Sequence, residues 1–126
     1  MKKDLKQKIE KIIEENYRNN NFNINELANS LGIERTYLFR KTVNNFKCNP
    51  KKLLETKRLL FAMDLLAGGE KISYVAVKSG FPNPGGMRRA FKNRLGVLPR
   101  EFKAECSGSN KDVSKTIEKY KSKLLD

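Results

Sequence analysis

The 126-residue chain has no histidine, only two cysteines and four prolines, and far fewer acidic than basic residues. The missing imidazole removes the commonest general base and the commonest metal ligand. No Gly-rich phosphate loop followed by Lys-Ser/Thr occurs, nor any nucleophile elbow. Catalysis, a metal or a cofactor therefore has little to stand on. Cys48 and Cys106 lie far apart without metal-type spacing and read as free thiols in a reducing cytoplasm. No apolar run approaches the roughly 20 residues that span a bilayer. The charged start, Met1-Lys2-Lys3-Asp4, leads into an amphipathic stretch rather than the apolar core of a signal peptide. The aromatics are not grouped as the stacking platforms of a general RNA binder.

What the chain does have is positive charge. Lys plus Arg number 27 against 14 Asp plus Glu, a formal charge of +13. Such a field attracts polyanions, nucleic acid first and an anionic membrane surface second. Hydrophobic residues make up 38%, enough for thin cores around small helix clusters. No stretch alternates like a strand, and most Gly and Pro separate helix-like blocks, so the pattern predicts an all-α fold.

The expected helices follow from apolar spacing and end signals. Leu5, Ile9, Ile12 and Ile13 give a first helix over about Asp4–Tyr17, closed by Asn19-Asn20-Asn21. Asn23 and Glu26 make a capping-box-like start for a second, which Gly32 ends. A third covers about Arg35–Phe46. Asn49-Pro50 opens a long fourth, rich in Leu, that reaches Gly68-Gly69. A fifth covers about Ser73–Ser79 and a sixth Pro84–Leu95; a short seventh runs from Pro99 through Phe102. Cys106–Asn110 reads as a flexible linker, and Val113, Ile117, Tyr120 and Leu124 mark a final amphipathic helix without an assigned role. The expected divisions are 1–48, 49–69, 70–105 and 106–126.

An internal repeat is the strongest signal. Leu27-Ala28-x-x-Leu31-Gly32-Ile33 matches Val75-Ala76-x-x-Ser79-Gly80-Phe81. The offset then grows by one residue, pairing Leu38 with Met87, Arg40 with Arg89, Phe46 with Leu95, Pro50 with Pro99 and Leu53 with Phe102. Each copy is a short apolar helix, a Gly turn and a helix rich in Arg and Lys: the helix-turn-helix pattern, whose second helix lies in the major groove. Two readers on one DNA face need a separation near one helical turn, about 34 Å. A stiff helix between them sets that distance within a monomer, so no dimer is required.

These residues resemble the DNA-binding domain of AraC/XylS-type transcription regulators over roughly Ile9–Lys103. The second half carries the likeness through Ile72–Phe81, Arg89-Ala90-Phe91-Lys92 and Gly96–Phe102; the first half through Asn25–Gly32, Tyr37-Leu38, Arg40 and Pro50. The resemblance implies two helix-turn-helix subdomains joined by a long central helix, homeodomain-like, with the extra C-terminal helix added. It also implies promoter binding to double-stranded DNA and activation, often through RNA polymerase. A chain of this length resembles the short members that lack a sensor domain.

By that resemblance Arg35, Thr36, Phe39 and Arg40 read bases in the first unit, and Arg88 and Arg89 in the second. Phe39 has an alternative, since with Val43 and Phe46 it forms a stripe that also suits a core. The family places an aromatic where Thr42 stands and an apolar residue where Lys41 stands. Either the third helix is rotated, with Phe39 and Val43 inward and Lys41 toward the groove, or this half packs loosely. The second reading helix opens Asn83-Pro84-Gly85-Gly86, where family members carry polar base-contacting side chains. Bare backbone N–H groups there suit a phosphate, which assigns Asn83, Gly85 and Gly86 to phosphate contact, with Lys41, Lys51, Lys52, Lys92, Arg94 and Arg100. The same opening motivates an alternative: a protein-interaction module whose second unit binds DNA weakly or without sequence preference. The two Gly also suit close helix packing alone.

Overall fold

The computed structural model describes residues 4–108 and 112–125. Among them are eight helices and no strand: α1 (Leu5–Asn16), α2 (Ile24–Leu31), α3 (Arg35–Phe46), α4 (Pro50–Ala67), α5 (Ile72–Lys78), α6 (Pro84–Leu95), α7 (Pro99–Cys106) and α8 (Val113–Leu125). None of them is long and apolar enough to cross a membrane. The expected Asn caps are in place, and Asp4, expected inside the first helix, caps it instead. Asp4, Asn23, Asn49 and Asn83 each accept a backbone N–H at the start of α1, α2, α4 and α6. Each satisfies one of the donors a helix start leaves unpaired.

Two apolar clusters divide the chain. The first joins Ile9 and Ile13 of α1 to Leu27 and Ala28 of α2, Leu38 of α3 and Leu54 of α4. The second joins Leu59, Ala62, Met63 and Leu66 of α4 to Val75, Met87, Phe91 and Phe102. The 18 residues of α4 span about 27 Å and lend side chains to both. The repeat is visible as matching burial: Leu27 with Val75, Ala28 with Ala76 and Leu38 with Met87 are all buried. Both second helices, α3 and α6, are 12 residues long.

The C-terminal region differs from the linker expectation. Helix α7 continues past Phe102 to Cys106, which is buried and so belongs to the second core. Ser109 and Asn110 lie outside the described residues. Helix α8 is docked: Tyr120 and Leu124 are buried in the second cluster. The Phe102 ring meets Phe91 and Tyr120 edge to face, with centroids 5.9 and 5.4 Å away. The Tyr120 hydroxyl donates to Glu105 at 2.5 Å, and Lys119 pairs with the same carboxylate at 3.1 Å. Burial raises the Tyr120 pKa, and the bond to Glu105 adds to it.

Two stability predictions follow from these packing details. Ser79 is fully buried and, among the described residues, its hydroxyl has no hydrogen-bond partner. Ser79→Ala removes that uncompensated polar group and raises stability by about 1 kcal/mol in chemical denaturation. The raised Tyr120 pKa favours the neutral phenol in the folded state. Its contribution is complete below the ordinary phenol value of 10.0 and declines as pH rises through the higher folded value. Tyr120→Phe flattens that alkaline limb.

Candidate nucleic-acid interface

Each helix-turn-helix unit is bent at a glycine in the left-handed region, Gly32 at φ 66° and Gly80 at φ 89°, where other residues are strained. In the first unit Leu38 and Thr42 face inward and both are fully buried. The Thr42 hydroxyl donates to the Leu38 carbonyl at 2.7 Å, so a polar residue fits the core with its donor satisfied inside its own helix. Helix α3 is therefore not rotated: Phe39 is 52% exposed and Val43 37%. The outer face carries Arg35, Thr36, Phe39 and Arg40, all exposed. Lys41 is half-buried; its ammonium and the Arg40 guanidinium each lie 5.5 Å from the Tyr37 ring.

In the second unit the start of α6 is less bare than expected. The Asn83 side chain accepts the Gly86 N–H at 2.7 Å, so that N–H already has an acceptor. The Arg89 guanidinium lies beside Gly85: a Cβ there would make an ordinary contact, 3.5 Å from Arg89 Nη1. The charge of Arg89 thus reaches back over the first turn, where side chains are missing. Arg88 and Arg100, both exposed, flank a shallow apolar depression beside Pro84. Lys51, Lys52 and Lys92 are exposed as well.

Arg94 has a different place. It points into the junction with α4, pairing with Glu55 at 2.8 Å and donating to Thr56 Oγ1 at 2.7 Å. These partners, with the Lys52 carbonyl at 3.5 Å as a third, and low exposure fit a brace between α6 and α4 rather than a phosphate contact.

A pair of adjoining depressions that share Lys51, Leu54, Arg58 and Pro82 lies between α3 and α6. The first is edged by Arg35 at the start of α3, and the second by Gly86 and Arg89 of α6. The N-terminal ends of α3 and α6 therefore border adjoining depressions, with Lys51 exposed between them and Arg58 turned inward to its carbonyls.

Arg58 was not singled out from sequence. It is 8% exposed and donates to three main-chain carbonyls of the α1–α2 connection: Tyr17 at 2.8 Å, Asn19 at 3.1 Å and Phe22 at 2.9 Å. Burial lowers its pKa below the ordinary guanidinium range. The one available signal was a cation on the apolar face of α4, four residues after Leu54 and next to Leu59. No group of three or more His, Cys, Asp or Glu that would hold a metal occurs among the described residues.

The architecture is shared with known proteins, and a family model described as a helix-turn-helix domain matches residues 27–105. The chain belongs to this family, the AraC-type helix-turn-helix DNA-binding domains. The AraC-type fold recurs in the C-terminal domain of the two-component response regulator yesN from Fusobacterium nucleatum. That structure is 27% identical, with a TM-score of 0.74 over 79% of this chain and 97% of that one. The C-terminal domain of AraT, a response regulator from Geobacillus stearothermophilus, superposes with a TM-score of 0.75 at 20% identity, over 84% of this chain and 89% of that one. A DNA-binding transcriptional dual regulator from Escherichia coli K-12 gives 0.67 at 20% identity, over 85% and 96%. Histidine kinase P4 of Formosa agariphila is 28% identical over 104 residues, 82% of this chain. The AraC-type chain spans only 8% of that kinase's length. Helix α8 lies beyond the stretch that the family model matches.

Arg58→Met leaves three carbonyls of the connection without their cation. The loss is expected to reach about 3 kcal/mol, because a lost charged donor strands buried acceptors. Thermal unfolding of the variant checks it, and Arg58→Lys recovers only part of the loss, since one ammonium does not reproduce the planar fork.

Proposed function

We propose that this chain is a sequence-specific, double-stranded DNA-binding transcription regulator, an activator acting on promoters in the cytoplasm. The single observation that carries the reading is the pair of adjoining depressions: the N-terminal ends of α3 and α6 border them, and the exposed Lys51 lines both. The first unit supplies base reading. Arg40 suits the O6 and N7 acceptors of guanine, Arg35 a second base edge or a phosphate, and Thr36 and Phe39 the methyl of thymine. Phe39 favours this role because it stands exposed rather than in the core.

The second unit reads less and holds more. Arg88 and Arg89 are its base-reaching side chains. Asn83, Gly85 and Gly86 let the duplex backbone come close to the positive end of α6, although the Asn83 cap leaves Gly85 as the freer donor. Lys41, Lys51, Lys52, Lys92 and Arg100 add phosphate contacts, with Lys51 placed between the two readers. RNA polymerase is the partner through which such a chain activates.

A second reading, a protein-interaction module that binds DNA weakly or without sequence preference, draws on α5. Tyr74 and Val77 expose 46% and 57% of their surface, where α2 shows only Asn25, Glu26, Asn29 and Ser30. A stoichiometric complex with purified RNA polymerase, together with sequence-blind duplex binding, would favour it.

Selection from random duplexes at two salt concentrations tests the first reading. Log K is expected to fall by about 0.9 per phosphate neutralised for each unit of log salt. Arg40→Ala relaxes preference at one base pair by about 1–3 kcal/mol. Lys92→Ala weakens all duplexes alike and lowers the salt slope by about 1. Absence of any enriched sequence at low salt would refute the proposal.

A further inference from the structure

The turn of the second unit touches the first unit directly. A Cβ placed on Gly80 would stand 2.0 Å from the Tyr17 carbonyl oxygen and 2.8 Å from Arg18 Cα. These are main-chain atoms of the α1–α2 connection, so no flexible side chain swings aside to make room. One residue later the Phe81 carbonyl accepts the Asn20 side-chain amide at 2.8 Å. Arg58 of α4 grips the same connection through its carbonyls. Residues 17–22 are thus wedged between α4 and the second turn.

The first unit supplies an internal control. Gly32 occupies the corresponding place in its own turn, also at positive φ, yet a Cβ there meets nothing within 4 Å. The bend of a helix-turn-helix explains the positive φ of both glycines. It does not explain why Gly80 alone has no space for a side chain. That demand arises between the units.

We infer that Gly80 and Asn20 are positioning residues that fix the distance and rotational phase between α3 and α6, and so set which half-site spacing the protein accepts. The inference rests on the proposal that both units bind DNA. Helix α4 holds side chains in both clusters, but its ends are turns, and Gly68-Gly69 leads into α5. The contact of Gly80 and Asn20 with the connection closes a second path between the units, and a body held at two places does not pivot. Linked readers gain from each other only when their geometry matches the span between their sites. One inserted base pair moves the second half-site by about 3.4 Å and rotates it by about 34°.

The test measures affinity for duplexes carrying both half-sites with the spacer shortened or lengthened one base pair at a time. Wild type, Gly80→Ala and Asn20→Ala are compared, each also on a single half-site and in thermal unfolding. Wild type is expected to lose about tenfold per base pair of mis-spacing, the scale of one mismatched pair. Gly80→Ala loses less than about threefold and Asn20→Ala falls between, with single half-site affinity held within about twofold. If Gly80→Ala does not fold, Asn20→Ala decides alone, because it removes one hydrogen bond and adds no clash. Folded variants that keep the wild-type spacing profile would overturn the inference. So would a wild type that reads single half-sites yet tolerates every spacing, which leaves the DNA-binding proposal standing. No sequence preference on any duplex would overturn both.

Discussion

One buried guanidinium organises the junction of the molecule. Arg58 leaves α4 at the boundary between its two apolar clusters and turns three carbonyls of the α1–α2 connection into a fixed surface. Without that cation the buried Phe22 carbonyl and the part-buried Tyr17 carbonyl would lose a donor, a costly state in a protein interior, while Asn19 would keep the Phe22 N–H. With it, the connection becomes a rigid floor on which the second turn rests. The separation of the readers is therefore a consequence of hydrogen-bond satisfaction as much as of helix length. Tyr17 and Phe61 close the outer side, edge to face at 5.9 Å, with the Arg18 guanidinium 5.2 Å from the Phe61 ring.

On this common frame the two units have diverged in chemistry while keeping their geometry. Helices α3 and α6 have equal length and matching inward positions, Leu38 with Met87 and Thr42 with Phe91. Their outward faces differ. The first displays Thr36 and Phe39 between arginines; the second begins with two glycines and lets Arg89 cover the gap. Such a pairing suits a division between discrimination and grip, since side chains at base edges carry sequence information and backbone contacts carry mainly affinity. Arg94 illustrates the same economy of charge: it braces α6 on α4 through Glu55 and Thr56, leaving phosphate contact to its exposed neighbours.

Most of the architecture was legible because local signals agreed. Asn caps, Pro at first helical positions and Gly exits marked α2, α4 and α6 to the residue, and the 49-residue offset between Leu38 and Met87 carried through to Pro50 and Pro99. Where the reading departed, a tertiary or side-chain interaction decided. Thr42 and Lys41 depart from the family's aromatic and apolar residues, which left a rotated α3 or a loosely packed half open; the back-bond of Thr42 to Leu38 seats its hydroxyl in the core, and Phe39 stays outside. Cys106 looked like the start of a linker because Ser and Gly follow it, but it closes α7 and is buried in the second cluster. Gly86 looked like a free donor because a sequence shows a cap's identity, not which N–H it takes. The Gly80 contact left no local trace, and Arg58 only a cation on an apolar face, since their partners lie about 60 and 36 to 41 residues away.

The docking of α8 has a practical side. The segment shared with the family closes at residue 105, one residue before Cys106 and ahead of the helix that brings Tyr120 against Phe102. A protein trimmed at that boundary would lose Cys106 together with α8 and uncover a greasy aromatic face around Phe102. Material prepared that way invites self-association, and its sluggish behaviour in solution would be misread as a property of the DNA-binding unit itself.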